Sequence, residues 1–391
     1  LLTSNALLAQ SSIEYVSIDS KHINETRKVT VNLPKEYKNS TKKYPLLLVV
    51  DEELLFNTTS AIVNQLSNTS RMPECIVVSL SSGNKHRNHF APNLYNNHRD
   101  RIYNYGNHQD EFIKFLELEL FPTLEEKYRT AAFKMYIGFS PSSAIGLYTL
   151  LNKPNLFQAY ICFAACNIIG DGYQKDERLI EELENLFAQK SIKQNYLYIV
   201  SGSKDAASQP YINTNIKDFN EKLNVFNSKT IHTKAETIEG EGHTDVILPG
   251  LIAAFEFIFP KEKWLVDYLD LIEKKGPAKV NIISFYENLS NEYGFEIYPN
   301  ADRLYSMSCL KNIGRRLLGT KNIDEAVALY EYWTHLYPSS HLAHYYLGMS
   351  FDRKGNNRNA IKSFKKAYDL ALLQKSDNAK MYLEAIEKLT K

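Results

Sequence analysis

Lys134-Met135-Tyr136-Ile137-Gly138-Phe139-Ser140-Pro141-Ser142 is the stretch on which the fold turns. Residues 134–140 form a short apolar run suited to a buried strand, and the residues from Pro141 through Leu151 read as a helix with proline at its favoured first position. A serine on a tight strand-to-helix turn, with small residues two positions to either side, is held exposed at the carboxyl end of a sheet. Gly138 satisfies that requirement, and Ser142 stands where a second glycine is usual.

Outward from this stretch, the chain alternates strands and helices. Residues 14–34 alternate polar and apolar like an antiparallel pair, and the runs at 44–51, 75–80, 159–165 and 196–202 are continuous apolar strands. Helical patterns fall around Ala61–Gln65 and, as one amphipathic helix, over 111–128. The expected class is α/β, a mostly parallel sheet covered on both faces. From about residue 262 the pattern turns to helix after helix. A shift of 34 residues there places Ile313 on Leu347, Gly314 on Gly348, Leu317 on Phe351, Ala326 on Ala360 and Tyr330 on Phe364. That is the tetratricopeptide period, with repeats over 307–340 and 341–374 flanked by helices at 278–292 and 376–390. The domain plan is 11–261 for the α/β part and 262–391 for the all-α part.

Bulk composition narrows the function classes. With 46 Lys+Arg against 45 Asp+Glu in 391 residues there is no footprint for nucleic acid, and no apolar run is long enough to span a bilayer. Residues 1–10, apolar with Ala9 before Gln10, resemble the tail of a secretory signal peptide, so export to a periplasm or the exterior is the expectation. Cys162 and Cys166 lie four residues apart on one expected strand, too far to bridge each other.

The chemistry requires an acid and then a histidine after later strands, in that order. Asp205 follows the strand at 196–202, and His243 follows the alternating segment at 229–239. His243 would take the Ser140 proton and return it to a leaving alcohol, with Asp205 fixing its tautomer; Glu241 and Asp245 remain alternative acids. Arg87 and Arg101 follow the strand at 75–80, in a loop that can meet an anionic substrate. His86, His89 and His108 with Asp110 lack metal-ligand spacing, no phosphate-binding glycine loop occurs, and neither metal nor cofactor is expected. Lys362–Lys366 reads as a solvated helix face.

The stretches RKVTVNLPKEY, YPLLLVVDEELLF, RNHFAPN, DEFIKFLELELFPTLEEKYRTAAFKMYIGFS and GEGHTDVILPGLIAAFEFIF resemble the esterase family that includes enterochelin-esterase-like serine hydrolases. The helical extension is similar to one carried by some members. The resemblance implies an α/β-hydrolase fold, cleavage of a small-molecule ester and a Ser140, Asp205, His243 triad.

Two departures bear on activity. Pro141 follows the nucleophile position and has no N–H, which removes one of two donors that hold a developing oxyanion, and proline also disfavours a strained backbone before it. Glu52 stands where the family usually has glycine, and its carboxylate would repel that oxyanion. A hydrolase weakened at the oxyanion is therefore set beside a second expectation. In that reading a degenerate hydrolase acts as a binding or scaffold protein, with a protein partner or a second copy engaged through the repeats.

Overall fold

The computed structural model describes residues 12–81, 87–189, 192, 194–228, 230–303 and 306–391; the N-terminal 1–10 and His86 lie outside the described residues. The strands are β1 (Ser12–Ser20), β2 (Glu25–Leu33), β3 (Tyr44–Val49), β4 (Ile76–Leu80), β5 (Leu94–Asn96), β6 (Arg101–Tyr103), β7 (Thr130–Phe139), β8 (Ala159–Phe163), β9 (Asn195–Gly202) and β10 (Ile231–Ile238). Eight of them form one sheet in the order β1-β2-β4-β3-β7-β8-β9-β10, while β5 and β6 make a separate ribbon. β1 and β2 are antiparallel from Ser12 against Leu33 to Ser20 against Glu25, and β2 is antiparallel to β4. All other pairs in the large sheet are parallel. The carboxyl ends of β3, β7, β9 and β10 therefore open on one edge, where ligands bind in open α/β sheets.

The parallel strands are apolar on both faces because both faces are covered. One face packs on the helical segment 109–127, on Pro141–Asn152, on Leu179–Ala188 and on Tyr211–Leu223. The segment 109–127 is continuous but widens to π geometry over Leu116–Leu120. Pro122, two residues beyond Leu120, cannot donate back to the preceding turn, which accounts for the widening.

The other face packs on Asn57–Asn68 and Ile247–Ile258, and its core continues without a break into the C-terminal helices. Phe133 of β7 and Tyr196 of β9 meet Tyr293, Phe259 and Phe295 at ring-centroid distances of 6.0–6.4 Å and, for Phe133 with Phe295, 5.1 Å. Trp264 donates to Tyr293 Oη at 3.1 Å. Lys42, buried between Tyr44 and Tyr337, pairs with Glu74 and anchors the same junction.

The C-terminal region comprises helices Ala278–Tyr293, Leu310–Gly319, Ile323–Leu336, His341–Arg353, Asn357–Leu373 and Ala379–Thr390. The 34-residue repetition has a packing cause. A Cβ on Gly314 would lie 2.4 Å from the Tyr330 ring, and one on Gly348 would lie 2.5 Å from the Phe364 ring. All four cysteines are free and buried, including Cys162 and Cys166. Among the described residues no helix is long and apolar enough to cross a membrane.

Candidate active site

Ser140 stands between the end of β7 and the helix Pro141–Asn152 with φ 55° and ψ −111°. This conformation is costly for a residue with a side chain and persists only where neighbours over-determine it. Three neighbours do so. The Ser140 N–H donates to Phe163 O at 2.9 Å, and Ser143 Oγ lies 2.9 Å from Gly138 O and 2.8 Å from Phe163 O. Gly138 passes so close that a Cβ there would sit 2.7 Å from the Ser142 carbonyl group. Ser140 adopts this conformation with Pro141 directly after it, although proline favours an extended preceding residue.

The acid and the histidine are brought together. His243 Nδ1 and Asp205 Oδ2 are 2.8 Å apart. Their loops are joined by the Lys204 N–H donating to Glu241 O at 3.0 Å and the Gly240 N–H donating to Ser203 Oγ at 2.9 Å. Gly202 permits this, since a Cβ on it would lie 2.4 Å from Glu241 O. Glu241 and Asp245 make no hydrogen bond to His243 among the described residues. The imidazole packs edge-on against Phe139, the residue before Ser140, with centroids 5.1 Å apart. Among the described residues no hydrogen bond joins Ser140 Oγ to His243.

Pro141 is buried as the first residue of its helix and has no N–H to donate. The Ser143 and Ala144 amides both donate to Ser140 O, at 2.9 and 3.3 Å. Glu52 opens the helical turn Glu52–Phe56, so its amide has no carbonyl one turn behind it. The Glu52 carboxylate is tethered by Thr30 Oγ1 of β2. It lines a cavity of about 320 Å³ whose walls include Leu54, Leu80, Phe90, Phe112 and Ile145.

Arg87 lines the same cavity but is paired with Asp51, Nη1 to Oδ1 at 2.6 Å. Arg101 is exposed on the ribbon, donating to Tyr103 Oη at 2.7 Å with its guanidinium 4.4 Å from the Tyr103 ring centroid. The ribbon is held over the sheet by Tyr95 and Gly172, which exchange hydrogen bonds of 2.7 and 3.1 Å. Beneath it, burial pushes the Asp171 carboxyl up to about 8, opposed by a hydrogen bond from Asn96 and by the nearby Arg101 and Arg99 charges. His89 and His108 stack at 4.1 Å, and among the described residues no cluster of His, Cys, Asp and Glu is arranged to hold a metal.

Sequence reasoning did not single out Asp51 as a site residue. Its carboxylate accepts from the Phe139 N–H at 2.8 Å, from Ser142 Oγ at 2.9 Å and from Arg87. The position of Asp51 at a strand end was visible; the convergence of its donors, up to 91 residues away in sequence, was not.

Residues 20–243 match the family model described as "Putative esterase". The chain belongs to that family. The fold agrees with solved structures at low identity. An IroE-like serine hydrolase from Shewanella oneidensis superposes with a TM-score of 0.64 at 20% identity, over 81% of this chain and 98% of that one. An uncharacterised protein from Capnocytophaga ochracea matches at 0.57 and 16% identity over 97% of this chain and 99% of that one, so the likeness extends through the helical region. The siderophore hydrolase EstA from Aspergillus nidulans matches at 0.50 and 17% identity over 63% of this chain and 94% of that one. Among curated proteins, the uncharacterised YbbA of Bacillus subtilis is 22% identical over 141 residues, which is 35% of this chain and 56% of that protein.

Proposed function

We propose that this esterase-family hydrolase cleaves a small-molecule carboxylic ester through an acyl-enzyme on Ser140. Ser140 Oγ attacks the carbonyl carbon as its proton passes to His243 Nε2. The alcohol leaves with that proton, and water then releases the acid by the same route. Asp205 holds Nδ1–H and stabilises the imidazolium. One observation carries the reading: the strained Ser140 backbone stands beside a His243–Asp205 pair already joined at 2.8 Å. With Pro141 supplying no N–H, oxyanion stabilisation falls to the Glu52 amide, and turnover is slow for this fold. No step requires a cofactor. Hydrolysis of p-nitrophenyl acetate and labelling by a fluorophosphonate probe should both disappear in Ser140→Ala and His243→Ala. Turnover or labelling that survives in Ser140→Ala refutes the assignment.

A second reading, a binding role for the tetratricopeptide-like helices, is favoured by the exposed Leu372, Leu373, Met381 and Leu383 near the C-terminus. Removing 262–391 would strip one face of the sheet, so the suitable test is Leu373→Glu with Met381→Glu. Loss of a protein partner, or of a second copy in a sizing experiment, supports this role. Unchanged association counts against it.

A further inference from the structure

The parallel ladder between β3 and β7 ends at Val49 opposite Ile137, followed by the Val50 N–H donating to Ile137 O at 3.1 Å. β7 continues past that point to Phe139. The next amide on this side, Phe139 N–H, has no strand to pair with, and Asp51 Oδ2 receives it at 2.8 Å. A side chain thereby extends the ladder to the residue before the nucleophile. The other carboxylate oxygen accepts from Ser142 Oγ at 2.9 Å, two residues past the nucleophile. A glycine at 142, the usual elbow residue, could not make that bond.

We propose that Asp51 is a positioning residue for Ser140, and that Ser142 and Arg87 act through it. One planar, buried carboxylate fixes the chain on both sides of Ser140. The Asp51 main chain also starts the turn that presents the Glu52 amide, its carbonyl accepting from Leu54 and Leu55 at 3.2 and 2.9 Å. Asp51 therefore sets the spacing between nucleophile and oxyanion donor. A carboxylate buried this close to a developing negative charge needs a counter-charge, and the Arg87 guanidinium supplies it at 2.6 Å. Arg87 accordingly influences rate without touching substrate, unlike the anion-binding part expected from its place in sequence.

The inference rests on Ser140 as the nucleophile, so the test has an arm independent of turnover. Full-length wild type, Asp51→Asn, Ser142→Ala and Arg87→Gln are compared by amide hydrogen exchange over 137–147. They are also compared by kcat and KM on neutral p-nitrophenyl acetate and on anionic mono-p-nitrophenyl glutarate. Exchange at 139–144 should quicken about 10-fold in Asp51→Asn and Ser142→Ala while the rest of the sheet keeps its protection, as expected for loss of one charge-assisted bond. The kcat should fall about 10-fold to 100-fold in all three variants with KM within about twofold, the pattern of a displaced nucleophile. Arg87→Gln should lower kcat equally on both esters. A KM increase confined to the anionic ester would show that Arg87 meets substrate, and unchanged exchange in Asp51→Asn would remove the brace; either overturns the proposal. Faster exchange with unchanged kcat also overturns it, leaving Asp51 purely structural. A wild type that neither turns over nor is labelled refutes the functional reading instead, while exchange still decides whether Asp51 holds the elbow.

Discussion

On the acyl-enzyme reading proposed above, replacing Pro141 with alanine should supply an oxyanion donor. Pro141 is the first helical residue, so an amide there has no intrahelical acceptor. In the same turn the Ser143 and Ala144 amides are already spent on Ser140 O. The restored N–H would therefore point outward at the helix N-terminus, where the helix dipole also favours negative charge. Removing one such donor from an acyl-transfer site costs about 100-fold to 1000-fold in kcat, or about 2.7–4 kcal/mol, and restoration should recover a gain of that order. The fold should lose little. Releasing the proline restraint on the unfolded chain costs about 0.4–1 kcal/mol, a fall of about 1 °C or less in Tm for a chain of 391 residues. The assay is the steady-state rate on p-nitrophenyl acetate, with Ser140→Ala/Pro141→Ala as the background. A folded Pro141→Ala protein that is labelled at Ser140 yet gains less than about threefold in kcat would refute the oxyanion argument. It would mean that another donor, such as the Ser142 amide, already stands beside the Glu52 amide.

Asp205→Asn leaves a ring partner in place but favours the wrong imidazole tautomer, so kcat should fall about 10³-fold to 10⁴-fold with little change in KM. If Glu241→Gln or Asp245→Asn has that effect instead, the acid is misassigned. Asp171 titrates near 8 in the folded chain against an ordinary value near 4, because burial outweighs the Asn96 bond and the Arg101 and Arg99 charges. The folded state holds the proton more tightly, so this group's contribution is complete below about pH 4 and is lost as pH rises toward about 8. Wild type should therefore lose Tm between pH 5 and 8 and Asp171→Asn should flatten that decline; a parallel decline in both proteins would refute it. Gly348→Val drives a side chain into the Phe364 ring and should cost about 1–3 kcal/mol of stability by denaturant titration. An unchanged midpoint would show that the hairpin can spread.

The features legible in sequence were those whose cause is local or periodic. The turn at Ser140 was readable because Gly138 and the strand-to-helix switch are contiguous, and the helical hairpins because Gly314 and Tyr330 recur as Gly348 and Phe364. The ribbon was not, since three-residue strands such as Leu94–Asn96 carry no period. The fate of Glu52 was also hidden. Its carboxylate is taken up by Thr30, 22 residues earlier, through a strand pairing that composition does not announce. The same holds for the sheet face sealed by Tyr293 and Phe295. Their apolarity reads as a helix core, and only the packing of Phe133 and Tyr196 against them shows that the helical region completes the hydrolase core.

The structure separates two properties that the sequence presented as one. Pro141 removes a donor, but the nucleophile geometry does not depend on that donor: φ 55° at Ser140 is held by Gly138, Ser143 and Asp51, none of which uses the residue 141 amide. What remains is the kinetic consequence of the donor alone. A missing oxyanion N–H acts on both tetrahedral intermediates, because the charge develops on the same carbonyl oxygen when the alcohol leaves and when water attacks. Acylation and deacylation therefore slow together, and no burst of alcohol precedes the steady state on that account. Steric exclusion of water by a bulky acyl group is what would separate the two steps, so a burst that grows with acyl size but is unaffected by Pro141→Ala follows from this division of roles.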